Sequence, residues 1–152
     1  MSRRTLVVTA TTRIARPLEI VARHFGDVDH HARNRVHRGV EFLPLADSGD
    51  ERRFRKTVRL LGIPIADEVV LRRLPDGSVR EDSVAGPGAG TRFVSSFRAD
   101  GPALTSTTLT VEIPVPGLKR LAVPLLRRWA RRQLVRALDE DRRDLEDGRY
   151  PE

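Results

Sequence analysis

Between Gly39 and Pro114 the chain breaks into strand-length runs, each closed by a tight-turn signal, and this regular interruption limits the possible folds most. The runs are Val40 to Leu45, Arg53 to Leu61, Ile65 to Leu74, Ser78 to Val84, Thr91 to Ala99 and Thr105 to Ile113. Between them stand Asp47-Ser48-Gly49-Asp50, Gly62-Ile63-Pro64, Pro75-Asp76-Gly77, Gly86-Pro87-Gly88-Ala89-Gly90 and Asp100-Gly101-Pro102. Glycine, proline and aspartate supply the backbone angles that turns need. A further run, Thr5 to Arg13, is rich in β-branched residues and reads as the first strand. The later runs leave no room for crossover helices, so they pair antiparallel as a meander.

Two short helices fit between the first strand and the rest. Pro17 suits a first helical turn, and Leu18, Val21, Ala22 and Phe25 follow at helical spacing up to Gly26. Asp27 is a candidate N-cap for a second helix reaching Asn34. After Pro114-Val115-Pro116-Gly117 a long amphipathic helix runs to about Asp147. At 100° per residue, Leu126, Ala130, Leu134, Ala137, Leu138 and Leu145 share one face, with an arginine-rich face opposite. Leu118, Leu121, Ala122 and Leu125 are out of phase with that stripe, so a kink or restart is expected near Pro124.

The 152 residues suit one domain, 1–152, with a sizeable core. There is no cysteine, which removes disulfides, thiolate zinc sites and thiol nucleophiles. No apolar run approaches the length of a membrane span, and the apolar stretch near the start is too short for a signal peptide, so a cytoplasmic protein without integral membrane contact is expected. The net charge of +7 invites a nucleic-acid reading. However, only Lys56 and Lys119 of the 28 basic residues are lysines, and the arginines are scattered among acids instead of forming one stripe with stacking aromatics. No nucleic-acid partner is expected. Arg127, Arg128, Arg131 and Arg132 flank Trp129, but the acids that follow weaken any attraction to an anionic membrane.

The order β-α-α-β6-α resembles the helix-grip fold of the START-like (SRPBCC) superfamily, which includes polyketide cyclases and dehydrases, lipid-transfer domains and plant hormone receptors. The likeness covers Leu6 to about Leu145 and rests on three stretches. Thr9-Ala10-Thr11-Thr12-Arg13-Ile14 leads into Pro17-Leu18-Glu19-Ile20-Val21, Glu68-Val69-Val70-Leu71 leads into Leu74-Pro75-Asp76-Gly77, and Pro116-Gly117-Leu118 opens the last helix. The resemblance implies an α+β fold in which a curved seven-stranded antiparallel sheet wraps the C-terminal helix. It also implies a cavity between them for a small hydrophobic or aromatic ligand. The short helices would cap one end of that cavity.

All four histidines, His24, His30, His31 and His37, fall within fourteen residues of one another, interleaved with Asp27 and Asp29. Imidazole is both the commonest metal ligand and the side chain that titrates near neutrality. Under the cyclase or dehydratase reading, His30 or His37 transfers a proton at the cavity mouth. Asp67 serves as an inward-facing acid, with Asp67 or Arg92 orienting the ligand. Phe93, Phe97, Leu126, Trp129 and Leu134 form the apolar contacts. A rival reading is a metal-dependent enzyme in which His30, His31, His37 and Asp27 hold iron or zinc. A third is a non-catalytic lipid or hydrophobic-ligand carrier. A homodimer is left open. The glycine-rich segment 86–90 lacks the lysine of a phosphate loop and reads as a turn or a lid over the cavity.

Overall fold

The structure is a computed structural model, and it describes residues 4–60, 62–117 and 122–152. Leu61, Leu118 and Leu121, which the sequence places at a strand end and ahead of the last helix, lie outside the described residues. The elements are β1 (Arg4–Ile14), α1 (Leu18–Phe25), α2 (Val28–Asn34), β2 (Val40–Asp47), β3 (Glu51–Leu60), β4 (Ile63–Arg73), β5 (Val79–Ala85), β6 (Arg92–Gly101), β7 (Leu104–Val115) and α3 (Val123–Glu146). The strands form one antiparallel sheet in the order β1-β7-β6-β5-β4-β3-β2. The later strands are a meander, and β1 closes onto β7.

Alternation decides which face each strand buries. In β1, Leu6, Val8 and Ala10 point inward and stand opposite Ile113, Val111 and Leu109 of β7. The intervening threonines point outward, where Thr9 pairs with Thr110 and Thr11 with Thr108, each through hydroxyl oxygens 3.1 Å apart. β4 starts earlier than its turn signal implies. Pro64 stands opposite Arg59 near the strand's first residue, where a missing N–H is tolerated. Register shifts in β2, β4 and β6 bend the sheet locally.

α3 begins at Val123 with Pro124 in its first turn. The absent proline N–H breaks no helical bond there, so the proline marks a start and not a kink. The buried stripe of α3 includes Ala130, Leu134, Leu138 and Leu145. Its first half packs on Leu6, Val8, Leu109, Val111 and Val115 of β1 and β7. A second cluster joins Val28 of α2 to Phe54, Val69, Leu71 and Val79. A third ties Ile14 and Val21 to Leu145 and Tyr150. Each fully buried aliphatic side chain contributes about 1.5–3 kcal/mol. Among the described residues no helix is long and apolar enough to cross a membrane.

Candidate functional site

A cavity of about 580 Å³ opens between α3, the α2 end of the molecule and the inner face of the sheet. Its walls are largely apolar: Phe25, Val28, Phe42, Leu71, Phe93, Leu109, Trp129 and Leu134 all line it. Lys56 and Glu81 face one another across it at 3.3 Å, and the ammonium lies 4.6 Å from the centre of the Phe93 ring. Asp67 also lines it, and its Oδ1 accepts a 2.9 Å hydrogen bond from the Gly88 N–H. That contact pins segment 86–90 to β4. A Cβ on Gly88 would clash with the Asp67 carboxylate, so a larger residue there requires that side chain to move.

One end of the cavity is walled by His31, His37, Glu140 and Asp141, the visible side of a larger buried cluster. α1 supplies His24, with no exposed surface, and α2 supplies His30 and His31, both buried. The segment after α2 supplies His37, and α3 supplies Glu140, Asp141 and Asp144. Adjacent residues on a helix point about 100° apart, so His30 and His31 reach different carboxylates. His30 Nε2 lies 2.6 Å from Asp144 Oδ2, and His31 Nε2 lies 3.2 Å from Asp141 Oδ1. His24 bridges the two, with Nε2 3.0 Å from Asp144 Oδ2 and Nδ1 4.0 Å from Asp141 Oδ1. His37 places Nδ1 3.0 Å from Glu140 Oε2 and Nε2 3.3 Å from Asp141 Oδ1.

Burial and pairing compete in this cluster. Burial wins at His24, whose pKa lies below the ordinary imidazole value despite Asp144 and Asp141. At His31 burial opposes the charge, but bonding to Asp141 and to the Asp27 carbonyl outweighs it and raises the pKa. Burial likewise opposes ionisation of Asp144, yet hydrogen bonds from His24 and His30 hold its carboxyl at about 2. Asp141 and Glu140 also lie below the usual carboxylate range because their histidine partners outweigh desolvation.

Two groups among the described residues bring three ligand atoms within 4.8 Å of one another: His24, His31 and Asp141, and His24, His30 and Asp144. Asp27 stands apart from both. Its Oδ1 caps α2 by accepting from the His30 N–H at 2.9 Å, and its Oδ2 accepts from the Tyr150 hydroxyl at 3.0 Å. His31 and His30, both in the set the sequence suggests, fall one in each group; each group adds His24 and an α3 aspartate where the sequence suggests Asp27.

Of the other expected ligand contacts, Phe93, Trp129, Leu134, Asp67 and His37 line the cavity, whereas His30 does not reach it. Arg92 turns to the outer face, bound to Asp82 Oδ1 at 2.8 Å and near Glu112. Phe97 packs edge-on against Phe25 under α1, and Leu126 belongs to the helix–sheet core. Sequence reasoning missed Asp141, Asp144, Glu140 and Tyr150. A signal for two of them existed: the steps Leu134, Leu138, Asp141, Leu145 put Asp141 on the apolar stripe, and Asp144 follows Ala137 and Asp141 at helical spacing on the same side.

No family model matches the chain, and no curated protein matches it. Solved structures do. The protein TTHA0849 from Thermus thermophilus superposes with a TM-score of 0.82 at 19% identity, covering 94% of this chain and 99% of that one. The Zhui aromatase/cyclase from Streptomyces sp. R1128 gives 0.81 at 16%, covering 95% and 96%. A START superfamily protein from Mycobacterium smegmatis gives 0.78 at 17%, covering 93% and 97%. At such identities the likeness is one of fold, and it spans both partners almost end to end. This chain shares the helix-grip fold of these START and aromatase/cyclase structures.

Proposed function

We propose that the protein binds a small hydrophobic or aromatic molecule in the cavity between α3 and the sheet. The carrying observation is the cavity itself. At about 580 Å³, with mostly apolar walls and a few convergent polar groups, it has the size and chemistry of a small-molecule site. A closed hydrophobic core would have no such space. The aromatase/cyclase and START proteins among the structural neighbours support the same reading.

The catalytic form of this reading is acid–base chemistry of the cyclase or dehydratase kind. His37 and Asp67 are the candidate proton-transfer groups, because both face the ligand space. The carrier form uses the same cavity with no reaction. The only tryptophan, Trp129, lines the space and reports on it directly. Titration with 8-anilinonaphthalene-1-sulfonate should quench or shift Trp129 fluorescence saturably, and the double variant Leu109→Phe/Leu71→Phe, which fills the cavity without adding a tryptophan, should weaken or abolish the response while far-UV circular dichroism stays native. A filled variant that still binds the dye with unchanged affinity rules the cavity out as the site. Once a substrate is found, turnover lost with binding retained in His37→Ala identifies the enzyme, and binding and stabilisation untouched by every histidine substitution identify the carrier.

A further inference from the structure

The hydrogen-bond accounting of the buried histidines leaves one place where no proton arrangement satisfies every group. His31 Nδ1 lies 2.8 Å from the Asp27 backbone carbonyl, which only accepts, so this nitrogen carries the proton. His37 Nδ1 faces the Glu140 carboxylate and His24 Nε2 faces the Asp144 carboxylate, so these nitrogens also donate. The other nitrogen of each ring, His31 Nε2, His37 Nε2 and His24 Nδ1, lies within 4.0 Å of a single anionic oxygen, Asp141 Oδ1. His24 Nδ1 is fully buried and has no hydrogen-bond partner. Protonated rings of His31 and His37 can both donate to that oxygen, which leaves His24 Nδ1, at 4.0 Å, as the nitrogen that no proton arrangement serves.

We infer that His24, through Nδ1, His31, through Nε2, and Asp141, through Oδ1, form a binding site for a divalent transition-metal ion of the zinc or iron(II) class, since these three residues bring ligand atoms within 4.8 Å of one another. A tetrahedron with bonds of about 2.0–2.1 Å has edges of about 3.3 Å. His31 Nε2 stands 3.2 Å from Asp141 Oδ1, and His24 Nδ1 closes from 4.0 Å with a small shift of its ring. Each histidine already has the outer hydrogen bond that fixes a metal-ligating ring, to a backbone carbonyl or to a carboxylate. The second cluster lacks this logic. His30 takes the Asn34 amide on Nδ1 and gives its Nε2 proton to Asp144, so it has no lone pair to offer. His31, His37 and Asp141 line the cavity and His24 lies behind them, so the ion's open side faces the ligand space. The inference stands whether or not the cavity takes an apolar guest.

Protein purified without a histidine tag and stripped with chelator is titrated with Zn²⁺ and Co²⁺ by calorimetry. One equivalent should bind. Asp141→Asn and His31→Gln should each weaken binding by about 100-fold or more, whereas His30→Gln should stay within about tenfold of wild type. X-ray absorption of the cobalt-loaded wild type counts the ligands without any substitution, so it decides even if a variant fails to fold. Two imidazoles support the site, and one or none overturns it. Absence of stoichiometric uptake, or uptake lost in His30→Gln and kept in His24→Gln, also overturns it. The dye titration of stripped protein reports separately on the cavity.

Discussion

Asp144 accepts hydrogen bonds from two imidazoles on two different helices while almost fully buried, so a single carboxylate joins α1, α2 and α3. Removing its charge leaves His24 and His30 competing for one neutral acceptor and sets an amide donor against them. Asp144→Asn should therefore destabilise the fold by about 2 kcal/mol, read as a lower denaturant midpoint at unchanged slope. A variant as stable as wild type would mean that the two histidines find other partners. Tyr150 plays a lesser part of the same kind, its hydroxyl donating to the N-cap Asp27 and its ring edge-on to His24 and His30. These contacts join residues more than a hundred positions apart, and no spacing rule reaches across that distance.

At the scale of elements, segment 86–90 is held to β4 by one side chain. Gly88→Ala would push a methyl into Asp67 and break the Gly88 N–H bond, costing about 1–3 kcal/mol. In an Asp67→Ala background the same substitution should cost clearly less, and the double-mutant cycle measures the difference. Equal costs in both backgrounds would show that the segment rests on something else. α3 offers a second test. Leu138 is fully buried where the helix crosses the sheet, and Leu138→Ala should cost about 2–5 kcal/mol by thermal or chemical unfolding. The elements themselves were legible. Seven strands, two short helices and the final helix follow from alternation, turn residues and helical spacing. The boundaries that moved, at Pro64 and Val123, did so where a proline sits at the edge of an element.

For the whole molecule, two of the depressed carboxylates, on opposite faces of the sheet, contribute to the acid limit. On the outer face, burial opposes the charge of Asp82, but Arg80 and Arg92 outweigh it and hold the carboxyl below its usual range. On the inner side Asp144 is held at about 2. Groups with depressed pKa stabilise the fold fully above the unfolded carboxylate value of about 3.9, and that stability is lost as pH falls through the folded value. Denaturant midpoints should therefore show no loss from these two groups between pH 7 and 5 and should fall steeply below pH 4. Asp82→Asn should flatten its share of that fall while leaving the histidine cluster intact. A pH profile identical to wild type in that variant would remove Asp82 from the account.

The sequence alone determined the antiparallel meander, the two short helices after the first strand, the amphipathic C-terminal helix and the crowding of four histidines into one segment. Each of these depends on neighbours a few residues apart, through backbone angles, alternation and helical phase. Tertiary structure decided which carboxylates those histidines meet, that Arg92 faces outward, and that the space between α3 and the sheet stays open. Asp141 and Asp144 come into the cluster only because α3 lies across the sheet with its apolar stripe inward, carrying two acids with it. That placement is fixed by packing across the whole chain, which local pattern does not encode.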